Sequence, residues 1–436
     1  MRDGAKAAPA AGTRARLAWA FYDVAGSAFP TVIVTFVFAA YFTQAVAPDE
    51  VRGTELWGYA MSLSALGVAL LAPVMGAIAD RAGPRKPWIA ASTVVCIVAT
   101  VLLWRIEPDI GYVTQALILV ALANFAFELG VVFYNAMLPD LADRARIGRW
   151  SGWAWGMGYA GGLGCLVVAL YGLVQADPAP FGLDAARAEP VRATAILAAI
   201  WFAVFALPLF VFTPDRPSAG LGIGRAAREG VATLLGTLRQ LRHYRSIAWY
   251  LLARMVYIDG LNTLVAFGGI FAVGTFGFDY AELISFAIAI NVTAGLGAAV
   301  FGWFDDRWGS KGTLLVSLTI LSFFCAALLT IESKQLFWLV GVPLGLFIGP
   351  IQSVSRTIMA HMAPPELRTE MFGLYALSGK ATAFVGPALF GAVTAMTGSQ
   401  RMGMATILGF LIVGGALLAF KVPPIRRELD ETGDRP

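Results

Sequence analysis

Apolar residues along this chain fall in long blocks broken by short polar turns, not in the alternating or narrow-stripe patterns of soluble domains. A hydrocarbon core of about 30 Å takes roughly 20 residues of helix. That ruler places twelve helical spans near 17–45, 56–79, 88–104, 112–137, 150–175, 193–212, 247–274, 282–302, 312–331, 335–360, 371–396 and 402–421. The connections are short except 213–246, where Pro214, Pro217, Gly220, Gly222 and Gly224 precede a basic run. The expected organisation is a tail (1–16), a six-helix bundle (17–212), a linker (213–246), a second six-helix bundle (247–422) and a second tail (423–436). The fold class is therefore all-α membrane protein, with twelve transmembrane helices in two bundles related by pseudo-two-fold symmetry.

A repeat supports the division. G-A-I-A-D-R-A-G-P-R-K (Gly76 to Lys86) returns as G-W-F-D-D-R-W-G-S-K (Gly302 to Lys311), aligning Gly76, Asp80, Arg81 and Gly83 with Gly302, Asp306, Arg307 and Gly309. Each copy is a charged turn after the second span of its half, the mark of two related units. Within the linker, Val231, Leu234, Leu235, Leu238 and Leu241 recur at helical spacing beside Arg225, Arg228, Arg239, Arg242 and Arg245. Two readings follow: a helix lying on the membrane surface, or one packed on the bundle.

Composition agrees with a membrane protein: 58% hydrophobic, 14% charged, mean hydropathy +0.71. The net charge of +4 is small, and most of the 32 Lys and Arg fall in the tails and even-numbered loops. The positive-inside rule then puts both termini, both repeated turns and the linker in the cytoplasm. No basic surface suggests nucleic acid. Cys96, Cys165 and Cys325 are isolated in apolar stretches and read as packing residues. Residues 1–16 lack a signal peptide's apolar core, so the first apolar block is expected to stay as a span.

Charge inside hydrocarbon costs about 2.5–3.5 kcal/mol on insertion scales and calls for a partner, a cavity or a task. Asp23 lies in the first span, Glu128 in the fourth, Arg254 and Asp259 in the seventh, Arg356 near the inner end of the tenth and Lys380 in the eleventh. Asp23, Ser27, Thr31 and Thr35 form one stripe, and Asn124, Glu128 and Asn135 another; Asp259, Asn262 and Thr263 share a turn, and Gln352 and Arg356 are four apart. Glu128 and Lys380 fall near mid-depth, Asp23 nearer the inner end, and Arg356 at a depth from which it can snorkel to the interface. These charges either pair internally to hold helices in register or serve a substrate. Pro30 removes a backbone bond to Gly26, a candidate break beside Ser27. Gly156, Gly158 and Gly161 satisfy a dinucleotide spacing but sit in a span without a preceding strand, so Gly152, Gly156, Gly158 and Gly162 read as close-packing positions. Enzyme signatures are lacking: His243 and His361 sit at the cytoplasmic edge, with no zinc, phosphate-loop or nucleophile-elbow pattern.

Two six-span halves with a Gly-x-x-x-Asp-Arg-x-Gly turn resemble the major facilitator superfamily over nearly the whole chain. Three segments, W-A-F-Y-D-V-A-G-S-A-F (Trp19 to Phe29), F-Y-N-A-M-L-P-D (Phe133 to Asp140) and F-G-L-Y-A-L-S-G-K-A-T-A-F-V-G-P (Phe372 to Pro387), are similar to its vacuole-effluxer branch. That branch usually has Trp and Asn where this chain has Val24 and Gly26. The resemblance implies a solute carrier working by alternating access, with the first, fourth, seventh and tenth spans lining a cavity. Its eukaryotic members are linked to amino-acid efflux, which makes an amino acid or other small zwitterion or anion the expected cargo. A sugar or drug carrier and a non-transporting sensor of the same fold are the alternatives. The expected site is Asp23, Ser27, Asn124, Glu128, Arg254, Asp259, Asn262, Gln352 and Lys380, with a cytoplasmic gate of Asp80, Arg81, Arg85, Asp306 and Arg307. No cofactor is expected beyond the option of proton coupling; the partners are a solute and the bilayer, in a monomer of a bacterial inner membrane.

Overall fold

The computed structural model describes residues 11–239 and 244–424. The tails at 1–10 and 425–436, and Leu241, Arg242 and His243 of the linker, lie outside the described residues. Among the described residues, twelve helices are long and apolar enough to cross a membrane: Thr13–Val46, Glu50–Ala82, Lys86–Arg105, Ile110–Leu141, Arg144–Val174, Glu189–Phe212, Arg245–Phe276, Glu282–Trp308, Ser310–Thr330, Lys334–Met362, Pro365–Thr397 and Gln400–Lys421. They match the twelve expected spans and extend most of them at the ends, where Asp49, Asp279 and Ser333 accept first-turn amides as N-caps.

The halves are built alike. Gly83 and Gly309 both take positive φ, 101° and 86°, which a residue without Cβ adopts freely and which turns the chain sharply after the second helix of each half. The lysine that follows docks on the carboxyl end of the last helix of its own half. Lys86 donates from Nζ to the carbonyls of Phe210 and Thr213, and Lys311 does the same to Ala419 (2.8 Å) and Val422 (2.5 Å). A cation there meets unsatisfied carbonyls at the negative end of the helix dipole.

Between halves, the second span packs on the eleventh and the eighth on the fifth, a symmetric exchange. Glycine makes the approach close. A Cβ on Gly152 would lie 2.3 Å from the Ala298 carbonyl, one on Gly156 2.9 Å from that of Gly295, and one on Gly373 2.5 Å from that of Ala72. Gly158 and Gly162 serve a second seam, against Asp23, Ser27 and Thr31 of the first span.

Two described spans are irregular in their interiors. The first is α-helical over Thr13–Gly26 and π-helical over Phe29–Phe36, with the change at Gly26 and Pro30 as the sequence suggests. The eleventh is broken: Arg368–Lys380 and Val385–Thr397 are separate helices with a turn at 381–384. Pro387 explains the break, since it has no amide for the Ala383 carbonyl and its ring crowds that carbonyl. All three cysteines are buried.

The linker helix, Ile223–Arg239, packs against the end of the second span, with Ala226, Gly230, Leu234 and Thr237 buried there and Val231 and Leu235 exposed. The packed reading describes it better than the purely surface-lying one, although an exposed apolar strip remains.

The fifth–eighth seam predicts the effect of a branched residue. Gly152→Val places carbon against backbone that cannot yield, so the terminal ends of spans five and eight should separate. Spin labels on those ends should report a longer distance in the folded variant, and an unchanged distance would contradict the seam.

Candidate functional site

Polar contacts between the halves form three layers, starting at the face that carries the chain termini. In the outermost, each repeated aspartate crosses to a helix start in the opposite half. Asp80 accepts from Thr369 Oγ1 (2.7 Å) and the Glu370 amide (2.9 Å), and Asp306 accepts from the Arg149 amide and Nε, both at 3.1 Å. Both carboxylates meet the positive end of a helix dipole. Arg85, which has no counterpart in the second copy, is buried among Asp80 (3.6 Å), Asp140 (2.5 Å) and Thr369 Oγ1 (2.9 Å). Burial, with Arg216 alongside, pulls its guanidinium down to about 10, which leaves it cationic at neutral pH. Arg216 of the linker donates to Asp140 (3.0 Å) and to the Pro365 carbonyl (2.9 Å), and Arg368 also reaches Asp140.

Two residues expected in this gate are not between the halves. Arg81 is exposed and donates to Thr233 of the linker helix (2.7 Å). Arg307 is exposed and covers the Trp303 ring of its own helix at 4.6 Å. Each side chain follows its aspartate by one position, so the helix turns it about 100° away from the seam.

The second layer centres on Arg356, which does not snorkel to the interface. It is buried and reaches across to three helices of the other half: Asp23 Oδ2 (3.1 Å), Asn135 Oδ1 (3.3 Å), and Ser151 through Oγ (2.9 Å) and the carbonyl (2.7 Å). The rings of Trp19, Tyr134 and Trp155 surround its guanidinium at 5.0–5.8 Å. Trp19 stacks on Tyr134 and donates to its carbonyl (3.1 Å), so two of the three signature segments build this one cage. One turn deeper, Tyr159 donates to Gln352 Oε1 across the same boundary at 3.1 Å.

The third layer is at mid-depth. Lys380 Nζ of the eleventh span donates to Glu128 Oε1 of the fourth at 2.7 Å. About a quarter of each side chain remains exposed, whereas the side chains of Arg356 and Arg85 nearer the termini face are 3% and 2% exposed. The pair is thus less enclosed than the layers on the termini side, and its lysine stands at the carboxyl end of the broken helix, where the dipole favours a cation.

The remaining expected residues divide by half. Ser27 donates to the Asp23 carbonyl (2.7 Å) in its own helix, and Asn124 donates to Ser64 (2.9 Å) within the first half, so neither joins the halves. Arg254 is buried in the second half, donating to the Tyr375 carbonyl and Ser378 Oγ, both at 2.8 Å, with its guanidinium 3.5 Å from the Tyr375 ring centre. Asp259 is buried with Oδ2 on the Gly386 amide at 3.1 Å, and Asn262 is exposed. Val24 and Gly26, the departures from the family pattern, pack on Gly161 and the Phe127 ring. Ser151, Tyr159 and Arg216 carry no local pattern that marks them, and Asp140 is marked only as the last residue of a signature segment.

Breaking the Arg356 cluster from one side leaves a charge without its counterpart, which costs about 3 kcal/mol in a buried setting. Arg356→Ala should lower the melting temperature strongly, and adding Asp23→Asn should restore part of the loss. Additive losses in the double variant would contradict direct pairing.

Residues 46–427 match the sequence profile of the family described as "Vacuole effluxer Atg22 like". The chain is 26% identical over 417 residues to the "Uncharacterized MFS-type transporter YxiO" of Bacillus subtilis, covering 94% of this chain and 95% of that one. It is 24% identical over 260 residues to "Autophagy-related protein 22" of Cryptococcus neoformans, covering 55% and 46% respectively. Among solved structures it superposes on the human organic anion transporter MFSD10 with a TM-score of 0.72 at 16% identity, over 93% of this chain and 99% of the other. It also superposes on the major facilitator transporter FucP in the outward conformation, with 0.73 at 13% identity over 94% and 98%. Those structural likenesses concern the fold, which is that of the major facilitator superfamily. By its sequence, the chain belongs to the Atg22-like vacuole effluxer family.

Proposed function

We propose that this transporter carries an amino acid or a similar small zwitterion by alternating access, with Glu128 and Lys380 as its contacts at mid-depth. The observation that carries the reading is their ion pair, one member from each half, about a quarter exposed and with the buried Arg356 and Arg85 layers on its terminal side. For the halves to rock apart around this point the pair must separate, and each charge then needs a substitute in a low-dielectric setting. A zwitterion supplies both: its carboxylate for Lys380, its ammonium for Glu128. A sugar supplies neither, and a simple anion leaves the glutamate alone.

The positive-inside count assigns the closed face to the cytoplasm, which makes this an outward-facing arrangement. Family membership supports efflux as the working direction. A single copy contains both halves and so completes the cycle as a monomer. Asp80 and Asp306 act as paired latches on the cytoplasmic face, too far from mid-depth to select cargo.

The test is counterflow of labelled amino acids in proteoliposomes. Wild type should exchange, and Glu128→Gln and Lys380→Ala should each fall by about 100-fold, the scale of losing a hydrogen bond to a charge. Both variants exchanging at the wild-type rate would sink the site assignment. Wild type exchanging only sugars or hydrophobic cations would favour the alternative cargoes, and no flux of any solute would favour a sensor.

A further inference from the structure

The broken eleventh span brings together groups that the zwitterion site does not use. Asp259 of the seventh span is 2% exposed, and its two carboxylate oxygens differ. Oδ2 accepts from the Gly386 amide at the start of Val385–Thr397, while Oδ1 is buried with no hydrogen-bond partner among the described residues. The two cations of the adjoining segments are engaged elsewhere: Lys380 is bonded to Glu128, and Arg254 directs its bonds to Tyr375 and Ser378.

A second oxygen shares the place. Thr263 is fully buried and its hydroxyl donates to the Asp259 carbonyl at 2.8 Å, which directs its hydrogen there and leaves its lone pairs available. Both oxygens converge on the bare Cα of Gly386, where an added Cβ would lie 2.1 Å from Thr263 Oγ1 and 3.2 Å from Asp259 Oδ1. The same turn frees the Ala383 carbonyl, whose partner position is Pro387. A buried carboxylate, a hydroxyl and loosened backbone at a helix break form an all-oxygen environment for a hard cation.

We propose that Asp259 Oδ1 and Thr263 Oγ1, gathered where the eleventh span breaks, bind a sodium ion. Charge sets the valence. One carboxylate balances one positive charge, whereas a divalent ion would leave an uncompensated charge in hydrocarbon. The site joins the seventh span to the outer piece of the eleventh, immediately beyond Lys380, so a bound ion holds that piece in place while the Glu128–Lys380 pair opens. As a coupling ion it rests on the transport reading; as a binding site it does not.

The test measures binding without flux. The purified full chain is melted in sodium chloride, potassium chloride or choline chloride at equal ionic strength, across a pH series. A saturating sodium-specific rise of roughly 5 °C is expected. Asp259→Asn, which keeps the Gly386 contact, should abolish it, and the near-isosteric Thr263→Val should raise the sodium concentration needed about tenfold. Equal stabilisation by all three salts, or melting that follows pH alone in wild type, would overturn the site, the latter in favour of a protonated Asp259. Should Asp259→Asn fail to fold, the Thr263→Val titration decides. Sodium binding without amino-acid counterflow would sink the proposed cargo and leave the ion site standing; counterflow without sodium binding would do the reverse.

Discussion

Charge buried in hydrocarbon calls for a partner, and at two depths in this chain the halves supply the opposite charge to each other. Asp23 with Arg356 and Glu128 with Lys380 each take one member from each bundle. The repeated aspartates follow the same plan with a helix terminus added to the cation, Asp80 at the Glu370 amide beside Arg85 and Asp306 at the Arg149 amide and guanidinium. A polar group satisfied only across a boundary stabilises the state in which that boundary is closed. The layers therefore act together as a lock whose strength depends on how the halves stand.

Small residues make the lock possible. Gly152, Gly156 and Gly373 let helices of opposite halves touch through backbone, which brings short side chains such as Ser151 into reach of Arg356. The three signature segments converge on this arrangement. Trp19 and Tyr134 cage Arg356, Asp140 collects Arg85, Arg216 and Arg368, and the third segment carries Tyr375, Ser378, Lys380 and Gly386. Their shared logic is contact between helices, within a half or across the seam, which spacing within any one helix does not reveal.

Much of the fold was legible because the bilayer imposes one ruler on every span and the repeat marks the halves. Span ends were less so, since caps such as Asp279 extend helices into polar sequence. Among site residues, Glu128 and Lys380 were identified by depth alone, but their pairing required the three-dimensional register of two bundles. For Arg356 the sequence leaves both snorkelling and internal pairing open, because its distance from the helix end gives depth but not the partners around it. Arg307 was placed in the gate by repeat symmetry, yet only the aspartate of each Asp-Arg step faces the seam. The break in the eleventh span had a visible signal in Pro387; proline also occurs inside the tenth span at Pro343 and Pro350, where the helix continues, so the residue alone does not decide.

The central claim is that the charge pairs between halves set which face is open. Spin labels at Ile110 and Met396, exposed near the far ends of spans four and eleven, report the gap between halves on the face away from the termini. The account predicts a long distance in the otherwise native protein, and a clear shift toward shorter distances when Asp23→Asn and Glu128→Gln together remove both carboxylates. An identical distance distribution with and without those carboxylates would contradict it.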